Sequence, residues 1–277
     1  MKVLKAVLTS AVVYLLLFAS GSQFSACKKT NTVHDTIIKK DTVTVIDTLY
    51  DLTDGLVAYY NFNNGSLKDS SGYSNHIYFS NAVKTTDRFG NANNAYLFDG
   101  STSYMQVKNS PSLNPDNITM MAIVKMNGFY QGSAYGNEIL MKGSADQSNG
   151  VYILRVAPND PSCCSISDTA KECLVSSYGD FGSSAGIFVT SYIFHPAQWA
   201  TIITTYDGLQ MKTYINGQLM GTLAKTAVFT DNSNDLFIGK TENPTYPYWF
   251  NGVIDEIRIY NRALGTGAVM QLSKLKQ

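Results

Sequence analysis

The chain has 277 residues, and its 21 Lys+Arg balance 21 Asp+Glu, so it carries no formal net charge. Hydrophobic residues make up 44%, enough for a core, which excludes a chain disordered throughout. Zero net charge, with no basic cluster beyond residue 54, argues against nucleic-acid binding by phosphate neutralisation.

The first elements read as an address and a spacer. Lys2 and Lys5 form a short positive region, and residues 6–19 form an apolar stretch too short to span a bilayer comfortably. Phe24-Ser25-Ala26-Cys27 follows and resembles the lipobox of bacterial lipoproteins, with Phe24 where Leu is usual. That resemblance implies removal of residues 1–26, lipidation of Cys27 and a lipid-anchored place in the cell envelope, at the outer membrane, with the periplasmic or surface side left open. Residues 27–54 then read as the lipidated Cys and an extended stalk. Asp-Thr plus an aliphatic residue recurs at positions 35, 41 and 47, in a run rich in Thr and Val. The run serves as a spacer or, alternatively, as a self-pairing β segment.

Residues 55–277 read as one all-β domain. Short apolar or alternating runs recur, each closed by Gly, Asn, Asp or Ser: 56–62, 95–98, 104–107, 118–126, 138–141, 151–156, 174–177, 187–193, 199–206, 211–215, 236–238 and 253–260. Asn216-Gly217 sits between 211–215 and 218–223, a strong hairpin signal. In 253–260, strict alternation puts Val253, Asp255, Ile257 and Ile259 on one face, and Glu256 and Arg258 on the other. Only the tail, 263–275, could hold a helix, and Gly265 and Gly267 weaken it. After Cys27, three cysteines remain; Cys163 or Cys164 is expected to pair with Cys173, with Cys164–Cys173 taken as the disulfide.

The order of several segments is similar to that of laminin G-like, concanavalin A-like jelly-roll domains. These are Gly55-Leu56-Val57-Ala58-Tyr59-Tyr60-Asn61-Phe62, Asp69-Ser70-Ser71-Gly72, Leu97-Phe98-Asp99-Gly100, Tyr214-Ile215-Asn216-Gly217 and Phe250-Asn251-Gly252-Val253-Ile254-Asp255-Glu256-Ile257. The resemblance implies a two-sheet antiparallel β-sandwich. It departs at the tail, where Gly265 and Ala268 stand in place of the family's Ser and Glu, so a capping box is lost and a frayed helix is expected. It also implies a structural calcium held by the Asp255 carboxylate, the Gly100 carbonyl and a carbonyl near Asn61, with Asp69 and Asp99 as further candidates.

The resemblance implies a non-catalytic binding or adhesion module with a glycan or cell-surface protein as partner; the alternative is a glycan-active enzyme of the same fold. Of the 21 acids only four are Glu (Glu138, Glu172, Glu242 and Glu256), and they are scattered. Adjacent Asp255 and Glu256 would point to opposite faces of a strand and could not share one scissile bond. Sugar rings stack on exposed aromatic faces, and two loops are rich in them. Tyr130, Tyr135, Tyr246 and Tyr248 are therefore the candidate ligand-binding residues, while the resemblance implies, by its place in the family pattern, that Phe250 belongs to the core.

Overall fold

The computed structural model describes residues 36–40, 43–47, 49–128, 137–143, 152–157, 172–178, 187–192, 197–224, 226 and 232–275. In chain order the strands are β1 (Thr36–Lys40), β2 (Val43–Asp47), β3 (Leu56–Tyr60), β4 (Ile77–Ser80), β5 (Val83–Thr85), β6 (Ala95–Asp99), β7 (Met105–Val107), β8 (Ile118–Met126) and β9 (Asn137–Lys142). Then come β10 (Tyr152–Ala157), β11 (Glu172–Tyr178), β12 (Ile187–Tyr192), β13 (Trp199–Tyr206), β14 (Gln210–Ile215), β15 (Gln218–Ala224), β16 (Leu236–Ile238) and β17 (Asn251–Tyr260). One helix, α1 (Thr266–Leu272), ends the described chain.

The expected all-β sandwich is present. One sheet has seven strands in the order β12-β11-β10-β9-β16-β7-β4, and the other runs β15-β14-β13-β8-β17-β6-β5, with β3 also paired to β17. All their pairings are antiparallel. Residues of alternate phase from both sheets fill the space between them: Leu140, Leu154, Leu236, Ile238, Met105 and Val107 from one, Met120, Ala122, Val124, Ile202, Ile254 and Ile257 from the other.

A second apolar cluster lies on the outer face of the larger sheet. Met121 and Ile123 of β8, Ile203 of β13 and Tyr214 of β14 meet Leu264, Ala268, Val269 and Leu272. This explains why β8 reads as one apolar run without alternation: both of its faces are buried. It also corrects the expectation of a frayed terminal helix. Gly265 supplies no side-chain cap, as the lost capping box implies, yet α1 forms because burial of its apolar stripe replaces the missing cap.

The Asn216-Gly217 hairpin joins β14 to β15, with both residues at positive φ, 52° and 81°, as a type I′ turn requires. The Asn216 side chain also accepts from the Thr201 N–H at 2.8 Å. The stalk differs from an uninterrupted extended run. β1 folds back on β2 in a hairpin that pairs Thr36 with Asp47 and Ile37 with Ile46. Backbone groups of an isolated strand lack partners, and a repeated sequence supplies a complementary second strand.

Candidate functional site

The final strand carries the first surprise of charge placement. Asn251–Ile254 of β17 pair with β6, and Ile257–Tyr260 pair with β3, so two strands share one edge of β17 end to end. Between them the register on β8 shifts, with Ile254 opposite Val124 and Glu256 opposite Ile123, leaving Asp255 as the extra residue of a β-bulge. The bulge resets the alternation: Ile254, Ile257 and Ile259 all enter the core, which strict alternation from Val253 does not give. Asp255 and Glu256 consequently converge instead of diverging. Arg88 pairs with the Asp255 carboxylate through one guanidinium nitrogen and reaches Glu256 Oε2 at 3.3 Å through the other. Arg258 Nε donates to Glu256 Oε1 at 2.6 Å. Burial pushes the Asp255 carboxyl up to about 6; Arg88 opposes the rise, while Asp87 and Glu256 add to it. Both acids are buried and engaged by guanidinium groups, so the convergence makes an ion cluster and not an exposed acid/base pair.

The three residues expected to hold calcium are not one ligand set. Asn251 pairs with Asp99, which places Gly100 about five residues, or about 15 Å, along the strand from Asp255, beyond any shared ion. Near Asn61, the Phe62 and Asn63 carbonyls accept from Gly65 and Ser66 N–H, and Asn61 Oδ1 accepts from Asn63 N–H at 3.1 Å. Asp69 and Asp99 are likewise occupied. The Asp69 carboxylate accepts from the N–H groups of Tyr59, Ser71 and Asn75, and that of Asp99 from those of Ser101, Thr102 and Ser103. Among the described residues no group of three His, Cys, Asp or Glu could hold a metal ion. Gly100 and Asp255 therefore do not share an ion, and Asn61, Asp69 and Asp99 are engaged in turns, while Asp255 Oδ1 is buried without a hydrogen-bond partner among the described residues.

The outer face of the seven-stranded sheet is built differently. Phe79, Gln106, Phe237, Met141 and Ile153 stand side by side in register across β4, β7, β16, β9 and β10. On β7, β16, β9 and β10 the neighbours Met105, Leu236, Leu140 and Leu154 point into the core, so the row lies on the outer face, where Phe79 is exposed and Gln106 and Phe237 are half-buried while Met141 and Ile153 are fully buried. A second register shift, between Ile77 and Phe79, lets Tyr78 and Phe79 both be exposed. Tyr104, just before β7, lies 4.7 Å from Phe79, 6.2 Å from Phe237 and 6.0 Å from Trp249 between ring centroids. Lys240 Nζ sits among these rings, 4.7 Å from Tyr104, 5.0 Å from Trp249 and 5.4 Å from Phe237. Burial lowers its pKa.

Beside this platform lie Tyr246 and Tyr248, the two described members of the expected tyrosine set. Their rings stack at 6.3 Å, and Tyr246 is 46% exposed. Their loop is held to the sheet: Thr241 N–H donates to the Pro247 carbonyl, Glu138 N–H to that of Tyr248, and Thr241 Oγ1 to that of Tyr246 at 2.7 Å. The Arg155 guanidinium lies 4.4 Å over the Tyr248 ring and binds Glu138 Oε2 through Nε at 2.7 Å. Burial pushes the Glu138 carboxyl up to about 7, against the pull of Arg155. Phe250 is fully buried, as expected. Cys27, Tyr130, Tyr135, Cys163 and Cys164 lie outside the described residues; Cys173 falls on β11, whose backbone alone is described there. Phe79, Tyr104, Phe237 and Lys240 escape a reading of aromatic loops because they lie on or beside strands.

Comparison with known proteins places this geometry. The family described as the concanavalin A-like lectin/glucanases superfamily matches residues 99–270. Among solved structures, domain 4 of AbnA, a GH43 extracellular arabinanase from Geobacillus stearothermophilus in complex with arabinotriose, superposes with a TM-score of 0.53 at 21% identity, covering 79% of this chain and 98% of that one. The binding domain of Paraclostridial Mosquitocidal Protein 1 has a TM-score of 0.58 at 16% identity, covering 80% of this chain and 52% of that one. The binding domain of Botulinum Neurotoxin DC in complex with SialylT has a TM-score of 0.58 at 13% identity, with 80% and 52% covered. The chain thus spans about half the length of the two toxin binding domains. No curated protein matches the chain significantly.

Two outcomes follow from the charges. Arg88→Met strands the buried Asp255 carboxylate, while Glu256 keeps Arg258, and is expected to cost about 3–5 kcal/mol, read as a fall in the urea midpoint; a loss below about 1 kcal/mol contradicts the bulge account. The pH dependence has a worked sign. Burial pushes the Asp99 carboxyl up, but hydrogen bonds hold it, like that of Asp207, below the usual carboxylate range, so their contribution is present above that range and is lost as pH falls. Asp255 and Glu138 are raised, so theirs is complete at low pH and is lost as pH rises through about 6 and about 7. The urea midpoint should therefore peak between about pH 4 and 6, and a steady climb from pH 5 to 8 would contradict this.

Proposed function

We propose that this chain, which belongs to the concanavalin A-like lectin/glucanases superfamily, is a non-catalytic glycan-binding module carried on the cell envelope by lipidated Cys27. One observation carries the binding reading: the outward platform of Phe79, Tyr104, Phe237 and Trp249 on a rigid sheet, with Tyr246 and Tyr248 at its border. Sugar rings present apolar C–H faces that stack on such rings, and hydroxyls that bind nearby polar side chains. Gln106 lies in the same row and Lys240 among the rings, so donors stand beside the stacking surface. The larger sheet offers no equivalent, because α1 and its apolar cluster cover much of its outer face. Arabinotriose and SialylT in the two neighbours' complexes are consistent with a sugar ligand.

The non-catalytic part rests on the carboxylates. Glycoside hydrolysis needs two of them flanking one bond. Asp255 and Glu256 are buried against arginines, and Glu138 is fully buried against Arg155.

A glycan array probed with the full chain tests this reading. Selective retention is expected, with Trp249→Ala weakening it about tenfold or more, as loss of an aromatic anchor does. Release of new reducing ends, abolished by one carboxylate substitution, would establish the enzyme alternative instead. Anchoring has a separate readout: Cys27→Ser should move the chain from the membrane fraction to the soluble fraction, and an unchanged distribution refutes the lipid anchor.

A further inference from the structure

At the other end of strands β4 and β7 from Tyr104, a surface cleft of about 190 Å³ opens between the 73–76 loop and residues 107–110. Its walls are fixed from beneath. The buried Asp69 carboxylate gathers the N–H groups of Tyr59, Ser71 and Asn75 and the Ser71 hydroxyl. The buried Asn75 side chain donates to the Val57 carbonyl at 2.8 Å and to Ser112 Oγ at 2.9 Å, and accepts from Ser110 Oγ at 2.6 Å. His76 Nδ1 accepts from the Asp69 N–H at 3.0 Å, so in the neutral ring the proton sits on Nε2.

What remains at the surface is unengaged. Among the described residues, His76 Nε2, the Tyr73 hydroxyl, Ser74 Oγ and Asn109 Nδ2 have no partner, and the Tyr73 ring is 53% exposed. Lys108, also on the wall, is turned to Asp235 at 3.3 Å and lies 4.2 Å over the Tyr78 ring. The cleft thus offers one aromatic face and several neutral hydrogen-bonding groups on a braced frame, with no carboxylate in its lining.

We infer that this cleft is a second, independent binding site for a single uncharged sugar ring, stacked on Tyr73 and hydrogen-bonded by His76 Nε2–H and Asn109. The volume lies below the ~300–1,000 Å³ of drug-sized pockets, which suits one ring and not a chain. Neutral donors and acceptors match hydroxyls, whereas an anion would meet no cation that is not already paired. The ligand class follows from the glycan reading above, but the residues are separate from the platform.

The experiment uses the purified full chain and a panel of methyl glycosides (methyl α-mannoside, methyl β-galactoside, methyl α-arabinofuranoside and methyl glucuronide), read by saturation-transfer NMR and titration. At least one neutral glycoside should bind in the millimolar range. Tyr73→Ala and His76→Ala should each weaken it about fivefold or more; Tyr73→Ala should leave the melting temperature unchanged, since its side chain is exposed, whereas His76→Ala also removes the acceptor of the Asp69 N–H and should lower it slightly. Trp249→Ala should leave it intact. Binding lost in Trp249→Ala but kept in Tyr73→Ala places the sugar on the platform alone and overturns the cleft. So does a panel with no neutral binder, or one in which only the glucuronide binds. Failure of the glycan array with monosaccharide binding retained would overturn the platform and leave the cleft standing.

Discussion

The sandwich depends on one strand accepting two partners along a single edge. β17 pairs with β8 along one side, and along the other it must serve β6 first and β3 next. At the junction between β6 and β3 neither strand pairs with Asp255 or Glu256, and on the opposite edge the register against β8 shifts there, with Asp255 as the extra residue. The bulge leaves backbone and side chain out of phase at the centre of the domain. Filling that place with a carboxylate requires a cation from outside the strand, which Arg88 supplies from the turn organised by the Asp87 carboxylate. Arg258, two residues on, completes the charge balance and stacks 4.1 Å from the Tyr59 ring of β3. Chain entry, chain exit and the 87–91 turn are in this way fixed to one another.

Much of the fold was legible because its cues are local. The Asn-Gly turn and the apolar run of β8 follow from residue type and spacing, and the core role of Phe250 from its place in the family pattern. β4 and β5 were not legible. Ile77-Tyr78-Phe79-Ser80 carries its own bulge, which erases the alternation that would reveal a strand, and Val83-Lys84-Thr85 is a three-residue edge strand with little to bury. The bulge in β17 did leave a trace: Ile254 and Ile257 are three apart in a strand whose core residues should be two apart. Strict alternation conceals that signal, and with it the meeting of Asp255 and Glu256.

The site was less legible than the fold for a geometric reason. Aromatic-rich loops announce themselves in sequence, and Tyr246 and Tyr248 were found that way. Phe79, Tyr104, Phe237 and Trp249 come from four places in the chain: sheet register sets Phe79 and Phe237 on either side of Gln106, and Tyr104 and Trp249 join them from the segments beside β7 and β17. Each alone looks like an ordinary strand or core residue. The expected sharing of one calcium ion by Asp255 and Gly100 meets a related constraint. Asp255 and Gly100 lie on neighbouring strands, but separation along the strand, not adjacency in the sheet, decides whether two groups can share an ion.

The distribution of acids then shapes what kind of ligand surface is left. Asp69, Asp87, Asp99 and Asp207 are each tied to backbone N–H groups of their own turns, and Asp255, Glu256 and Glu138 to arginines. A turn carboxylate so engaged has few lone pairs left for a ligand or a metal, whereas Asp255 Oδ1 and Glu138 Oε1 are buried without a hydrogen-bond partner among the described residues. The preponderance of Asp over Glu in the composition is accordingly a requirement of loop architecture. The surfaces that stay unengaged are aromatic or neutral, and their shape is set by a sheet that does not need the ligand in order to form. Such surfaces bind through stacking and hydroxyl pairing, which favours weak contacts repeated along a polymer over a single tight one. On the proposed reading of a membrane-anchored glycan-binding module, many copies facing one glycan chain would gain by multivalency what each lacks alone.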